Sequence, residues 1–322
     1  MSTDKPTIDI HFSQALPVTL GGQRLDSALA KLCEQFSRSQ LQSWIKTGQV
    51  TVDGRRCRPK DILHGGEWIV IAAQQETHVP LAPEALPISV VYEDDSLLVV
   101  NKSSDLVVHP AAGNWQGTLQ NALLYHCPDL QFLPRAGIVH RLDKDTTGLL
   151  VVAKTLEAHH HLVEQLQQRL FQREYLALVR GEVIAGGTID QPLGRHPVER
   201  KRFAVRADGK PAMTHYRVEQ RLGPFTLLRV RLETGRTHQI RVHLAHLRLP
   251  LVGDPLYGGR FSLPPQGSAE LEACLRAFTR QALHAETLGL THPETGQSCH
   301  WQQALPDDMA DLLATLRDHY HD

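Results

Sequence analysis

Polar and apolar residues fall into three kinds of pattern along this chain: helical stripes, strand-like alternation and short continuous apolar runs. In "QRLDSALAKLCEQF" the apolar residues Leu25, Ala28, Leu29, Leu32 and Phe36 form the stripe of an amphipathic helix. In "SRSQLQSWIKTG" Ser37 or Ser39 can cap a second helix, and Gly48 can end it in the left-handed conformation. "QVTVDGRRCR" then alternates and carries Asp53-Gly54, a pair suited to a tight hairpin, and "GGEWIVIAA" adds a strand. These elements predict a small module of two helices and a sheet over residues 18–73, preceded by an extension, 1–17. Residues 74–87, "QQETHVPLAPEALP", contain three prolines and no periodicity, and read as a linker.

From residue 88 to 322 strands dominate. "ISVVYEDDSLLVVNK" predicts two strands around the acidic turn Glu93-Asp94-Asp95. "EAHHHLVEQLQQRL" has a helical pattern, "EYLALVRGEV", "THYRVEQRL" and "FTLLRVRLET" read as strands, and "DDMADLLATLRDHY" as a terminal helix. Short turns between successive strands favour a mostly antiparallel α+β sheet over a doubly wound parallel one.

Composition narrows the class. A chain of 322 residues with 41% hydrophobic and 21% charged residues has the make-up of an ordinary globular protein, long enough for two domains. The opening "MSTDKPTIDIHF" has no signal-peptide character, and no apolar run approaches a bilayer span. Five scattered cysteines, with no CxxC pair, speak against a disulfide framework or a structural zinc site and for a reducing cytoplasm. The net charge is −1, yet Lys and Arg concentrate locally. Residues 24–60 hold eight against three acids, and residues 195–210 hold six against two. Basic patches on a neutral protein fit polyanion binding by particular faces, although on charge alone solvated surface is the favoured explanation.

Candidate chemistry gathers in "GIVHRLDKDTTGLLVVAK", residues 137–154, where charged groups sit between two apolar runs. Charges at the edge of a core are costly unless paired or used. Three readings are open. Asp143-x-Asp145-x-Thr147 matches the nucleophile motif of magnesium-dependent haloacid-dehalogenase-type phosphatases. Against this, His140 and Arg141 occupy what that fold makes a buried strand, and another apolar run begins at once. The histidines, His159-His160-His161 and His238, His243 and His246, could bind metal, but no ligand frame such as HExxH surrounds them. The third reading is metal-free chemistry by one carboxylate held by an arginine.

That stretch is similar to the active-site motif of the RluA-type pseudouridine synthases, His-Arg-Leu-Asp followed by a Thr-Gly-Leu strand. "NKSSDLVVHP", "REYLALVRG", "LETGRTHQIRVHLAHLRLPLVGDPLYGG" and "RQALHAETLGLTHP" follow the family's other motifs in order. Ser103-Ser104 stands where the family usually has proline. The N-terminal module resembles the S4 RNA-binding domain through Arg24-Leu25-Asp26, Ser37-Arg38, Gly48, Asp53-Gly54 and Gly66-Glu67.

The resemblance implies an S4-like domain followed by a catalytic domain, 88–322, of the pseudouridine synthase fold. It implies an isomerase of large-subunit (23S) rRNA, acting on clustered uridines of the helix 69 hairpin. Asp143 would act on C1′ of the ribose or C6 of the base, Arg241 would orient it, and Tyr175 would accept or relay the C5 proton. Arg141 would fill the space left by the flipped base, because a uridine must leave its stack to be reached. Arg24, Arg38, Lys46, Arg55 and Arg56, with Arg200, Lys201 and Arg202, would hold RNA phosphates. Thr146, Thr147 and Gly148 would make the turn, Asp145 and Lys144 a local ion pair, and the flanking apolar runs two strands. No cofactor, metal or membrane is implied, and a cytoplasmic monomer is expected. The alternatives are the phosphatase and a ribosome-associated S4 protein with an inactive second domain.

Overall fold

In a computed structural model of the chain, the structure describes residues 7–33, 35–76, 81–110, 114–259 and 267–320. It divides into two compact units, 1–81 and 82–322.

The first unit has the two helices and the hairpin that its periodicity predicts. The apolar stripe of α1 (Leu25–Leu32) and that of α2 (Arg38–Thr47) close over a buried cluster with Leu25, Leu29, Leu41, Ile69 and Ile71. Ser37 caps α2 by accepting the Gln40 amide, and Gly48 ends it at φ 78. The strands β2 (Val50–Val52) and β3 (Arg55–Arg56) pair across Asp53-Gly54, both at positive φ. Two expectations change. The segment β1 (Thr7–Ala15) is not a free extension but an edge strand, antiparallel to β4 (Trp68–Glu76) over nine residue pairs. The linker is shorter than its prolines suggest: residues 74–76 belong to β4, and 77–80 lie outside the described residues. Glu84 joins the second unit, donating its amide to Asn121 and accepting the Gly117 amide on its carboxylate.

The second unit is built on a nine-stranded sheet in the order β5-β6-β7-β14-β8-β13-β12-β9, with β15 paired to β14. Its strands are β5 (Ser89–Glu93), β6 (Leu97–Lys102), β7 (Thr147–Ala153), β8 (Gln172–Arg180), β9 (Gly187–Asp190), β12 (Met213–Leu222), β13 (Phe225–Leu232), β14 (Leu283–Thr291) and β15 (Ser298–Gln302). A separate two-stranded ribbon, β10 (Leu193–Arg195) and β11 (Phe203–Val205), carries Arg200, Lys201 and Arg202 of the second basic segment on its turn. All pairings in these sheets are antiparallel except the short contact of β7 with β14, so the mostly antiparallel α+β reading holds. The helices are α3 (Leu119–His126), α4 (Leu156–Gln167), α5 (Gln239–His246), α6 (Ala269–Ala277) and α7 (Asp307–Tyr320). Helix α4 packs with β6 and β7 around Leu97, Val151 and Leu162, and α6 and α7 pack with β8 and β13 around Leu178, Leu227, Leu271 and Leu313.

Only the second apolar run of the central motif is a strand. Thr147 and Gly148 already belong to β7, whose seven residues are all buried. Gly148, at φ 110, is required there: a Cβ would come within 2.2 Å of the Ala285 carbonyl oxygen on β14. The first run makes a single bridge, Ile138 to Val152. The turn instead spans residues 143–146, closed by the Thr146 amide donating to the Asp143 carbonyl at 3.1 Å.

Candidate active site

The loop between Ile138 and β7 is tied down on several sides, which is how it can carry charge beside a core. His140 is part-exposed as a residue, yet its Nε2 accepts the Val151 amide of β7 at 3.1 Å and its ring meets Phe171 edge-on. Burial, with Arg173 nearby, lowers its pKa to about 3, so the ring is neutral at pH 7. On the other side, the buried ammonium of Lys102 donates to the carbonyls of Ser103, Leu106 and Lys144 at 2.6–2.8 Å. Burial lowers its pKa to about 7. Gln281 donates to the Thr146 hydroxyl and Arg280 to the Asp145 carbonyl. Leu142 is buried, so the loop presents Arg141 and Asp143.

Both line a cavity of about 570 Å³ together with Tyr175 and Arg241. Arg241 sits on α5, with its side chain only 5% exposed. Its Nη1 donates to Asp143 Oδ2 at 2.9 Å, while Nε and Nη2 hold both oxygens of Asp254 at 2.7 and 2.9 Å. Burial opposes the charge on Arg241, but the bonds to Asp254 and the nearby Asp143 outweigh it and raise its pKa. Burial likewise favours a protonated Asp254, yet the Arg241 bonds and the Tyr257 and Leu256 amides hold its pKa down. Asp143, 15% exposed, opens into the cavity.

Tyr175 reaches the cavity from β8, where Arg173, two residues earlier, points to the same face. A register shift in β14 between Ala285 and Thr287, opposite Tyr175 and Glu174, bends the ladder at this point. Burial raises the Tyr175 phenol pKa. Six arginines line the cavity (Arg135, Arg141, Arg169, Arg173, Arg236 and Arg241) against two carboxylates, Asp143 and Glu233. That excess gives the cleft a positive field suited to a polyanion.

Asp143, Tyr175, Arg241 and Arg141 are thus brought together, whereas Asp145 lines a different cavity with Arg280 and Asp308. The two carboxylates of the D-x-D pattern do not converge, and the phosphatase reading loses its basis. Lys144 pairs with Asp105 at 3.8 Å rather than with Asp145. His243 is fixed by Thr214 and the Gln191 carbonyl, and no group of three potential ligands that could hold a metal occurs among the described residues. Among the described residues no helix is long and apolar enough to cross a membrane. Arg200 and Lys201 are exposed on the β10–β11 turn, while Arg202 pairs with Glu199 and stacks on Tyr257 at 5.3 Å. In the first unit Lys46, Arg55 and Arg56 are exposed, and Arg24 and Arg38 are half-exposed and bonded to Asp26. Asp254 and His238 complete the site without having been singled out in these roles by sequence reasoning. The only trace of Asp254 is a lone acid among apolar residues and glycines in "LVGDPLYGG".

The family model described as RNA pseudouridylate synthase matches residues 96–246, and the S4 domain model matches residues 23–69. A curated protein of Pseudomonas aeruginosa, "Ribosomal large subunit pseudouridine synthase D", is 56% identical over 94% of this chain and 94% of its own length. This chain belongs to the RNA pseudouridylate synthase family. Proteins of the same name from Xanthomonas campestris and Escherichia coli K12 are 51% and 52% identical over 97% and 92% of the chain, covering 94% and 91% of their own lengths. The structure of human RNA Pseudouridylate Synthase Domain Containing 1 matches 73% of this chain and 96% of its own at 27% identity, with a TM-score of 0.53. Human RNA Pseudouridylate Synthase Domain Containing 4, at 24% identity, covers 71% of this chain and 93% of its own, and shares the fold with a TM-score of 0.56. The family's activity is an isomerisation.

Proposed function

We propose that this protein converts uridines of large-subunit (23S) rRNA to pseudouridine, with Asp143 as the catalytic carboxylate. The observation that carries the reading is the Arg241–Asp143 bond of 2.9 Å at a positively lined cavity that also holds Tyr175 and Arg141. The relatives' names supply the class of RNA.

In the reaction the C1′–N1 bond breaks, a C1′–C5 bond forms, C5 loses a proton and N1 gains one, so the nucleotide keeps its composition. A carboxylate that must act on C1′ or C6 has to keep its direction, and a guanidinium fixed by Asp254 on its other edge aims it. Tyr175, lining the same cavity, accepts or relays the C5 proton. Arg141, exposed at the rim, fills the gap left by the flipped base; flipping itself costs a few kcal/mol. Phosphates are held by Arg24, Arg38, Lys46, Arg55 and Arg56 of the S4 unit and by Arg200, Lys201 and Arg202 of the β10–β11 turn. Such contacts position RNA without reading it, so the fold of the helix 69 hairpin selects the uridines. The enzyme works as a cytoplasmic monomer during ribosome biogenesis.

Chemical mapping of pseudouridine in rRNA tests this. Cells lacking the protein should lose a cluster of modified positions in large-subunit rRNA and regain it when the gene is restored. An unchanged map would overturn the proposal.

A further inference from the structure

Asp143 has two oxygens, and Arg241 holds only one. Oδ2 accepts from Arg241 Nη1, while Oδ1 lies 3.9 Å from His238 Nε2. That spacing is too long for a direct hydrogen bond, and both side chains border the cavity.

The tautomer of His238 follows from its other nitrogen. The Phe203 amide donates to the Tyr257 hydroxyl at 2.8 Å, so the hydroxyl's own hydrogen can go to His238 Nδ1, 2.9 Å away. With Nδ1 accepting, a neutral imidazole carries its hydrogen on Nε2, facing Asp143. Burial favours the neutral ring, although Asp143 pulls the other way. Phe203 and Tyr257 meet the ring edge-on at 5.8 and 5.7 Å, and residue 238 itself holds a left-handed φ of 55, uncommon outside glycine.

The site therefore sets an N–H donor beside a carboxylate acceptor with room for one small atom between them. An atom ~2.8 Å from each must accept from the nitrogen and donate to the oxygen. A uracil carbonyl only accepts, and N3–H only donates. Inside an RNA chain the 3′ and 5′ oxygens are esterified, which leaves the ribose 2′-hydroxyl as the one group able to do both. We infer that His238 and Asp143 clasp the 2′-hydroxyl of the target nucleotide, His238 Nε2–H donating to it and Asp143 Oδ1 accepting from it. The pair thereby selects ribo- over deoxyribonucleotides. This rests on the pseudouridylation reading above.

The test compares turnover on an rRNA fragment carrying either uridine or 2′-deoxyuridine at the target position. The wild-type protein should lose about tenfold or more on the deoxy substrate, the scale expected when a built hydrogen-bonding site loses its partner. His238→Phe should slow the ribo substrate by about the same factor and leave the deoxy substrate nearly unchanged, so the two rates converge. His238→Gln, whose amide can donate, should retain part of the preference. Should His238→Phe fail to fold, as read by its melting curve, Tyr257→Phe takes its place. Freeing Nδ1 from its partner should weaken the preference for the ribo substrate. An equal deoxy penalty in the wild type and in these variants, or a wild type indifferent to the 2′-hydroxyl, would overturn the inference. No pseudouridine on any RNA with the wild-type protein would overturn the proposed function itself, and this inference with it.

Discussion

The two units each contain an arginine–carboxylate cluster, made from the same chemical groups with their burial reversed. In the first, Asp26 is 0% exposed and accepts from Arg24, Arg38 and Gln42, while the two guanidinia remain half in water. In the second, it is Arg241 that is buried, between a fully buried Asp254 and an Asp143 that opens into a cavity. The member left facing solvent indicates what each cluster can do. Half-exposed arginines braced by a hidden acid are held in place with part of each guanidinium in water, the arrangement that the proposed phosphate contacts require. A carboxylate that opens into a cavity and is braced by a hidden arginine is held in one direction, as a group that acts on a substrate must be. The hidden partner in each case is the structural one.

Removing the hidden partners should separate the clusters most sharply. Asp254→Asn leaves a buried guanidinium with one anionic neighbour; it should cost about 3–5 kcal/mol in denaturant unfolding and reduce single-turnover pseudouridylation at least about 100-fold. A stable, fully active Asp254→Asn protein would show that Asp143 needs no such brace. Lys102→Met removes the side chain's bonds to carbonyls, of which the neutral amine present at pH 9 can make two, and should cost about 2 kcal/mol at pH 9. This deficit has a definite pH dependence. The folded pKa of about 7 lies below the ordinary 10.5, so between these values the unfolded chain binds more protons and wild-type stability rises with pH. The methionine variant lacks that rise, so its deficit should shrink as pH falls from 9 to 7; melting curves across that range that stay parallel would contradict the burial of the ammonium.

Asp26→Asn should cost less, about 1–2 kcal/mol, because its arginines can turn to water. It should weaken RNA binding yet leave turnover at saturating RNA within about twofold; a large fall in saturated turnover would erase the contrast between the clusters. Smallest are Arg24→Ala and Arg38→Ala, each expected to lower rRNA affinity a few-fold and to reduce the slope of log affinity against log salt by about one. Filter-binding titrations across salt concentrations read this, and an unchanged slope would remove these residues from the phosphate contacts.

The parts that local pattern specifies were legible along the chain. The stripes of α1 and α2, the Ser37 cap, the Gly48 stop and the Asp53-Gly54 hairpin all depend on residues within one turn of one another. What was hidden depends on partners far away. The segment 7–15 looks like an extension until its nine pairings with β4, sixty residues on, are formed. "GIV" looks like a strand, yet beside β7, whose one edge is taken by β6 and whose other edge meets β14 at Thr147 and Gly148, Ile138 makes a single bridge, to Val152. Asp143, Arg141, Tyr175 and Arg241 were found through the order of motifs. Asp254 was not, because a carboxylate that only braces another residue leaves no spacing of its own. His238 was weighed only as a metal ligand; its pairing with Tyr257, nineteen residues away, appears only once α5 is folded.

The most direct measurement is single-turnover pseudouridine formation by Asp143→Asn beside its rRNA affinity. The isosteric amide keeps the shape of the cavity and leaves Arg241 bonded to Asp254. The expected result is no detectable product with affinity nearly unchanged; turnover at even a few per cent of wild type would show that the carboxylate at 143 is not the group that rearranges the uridine.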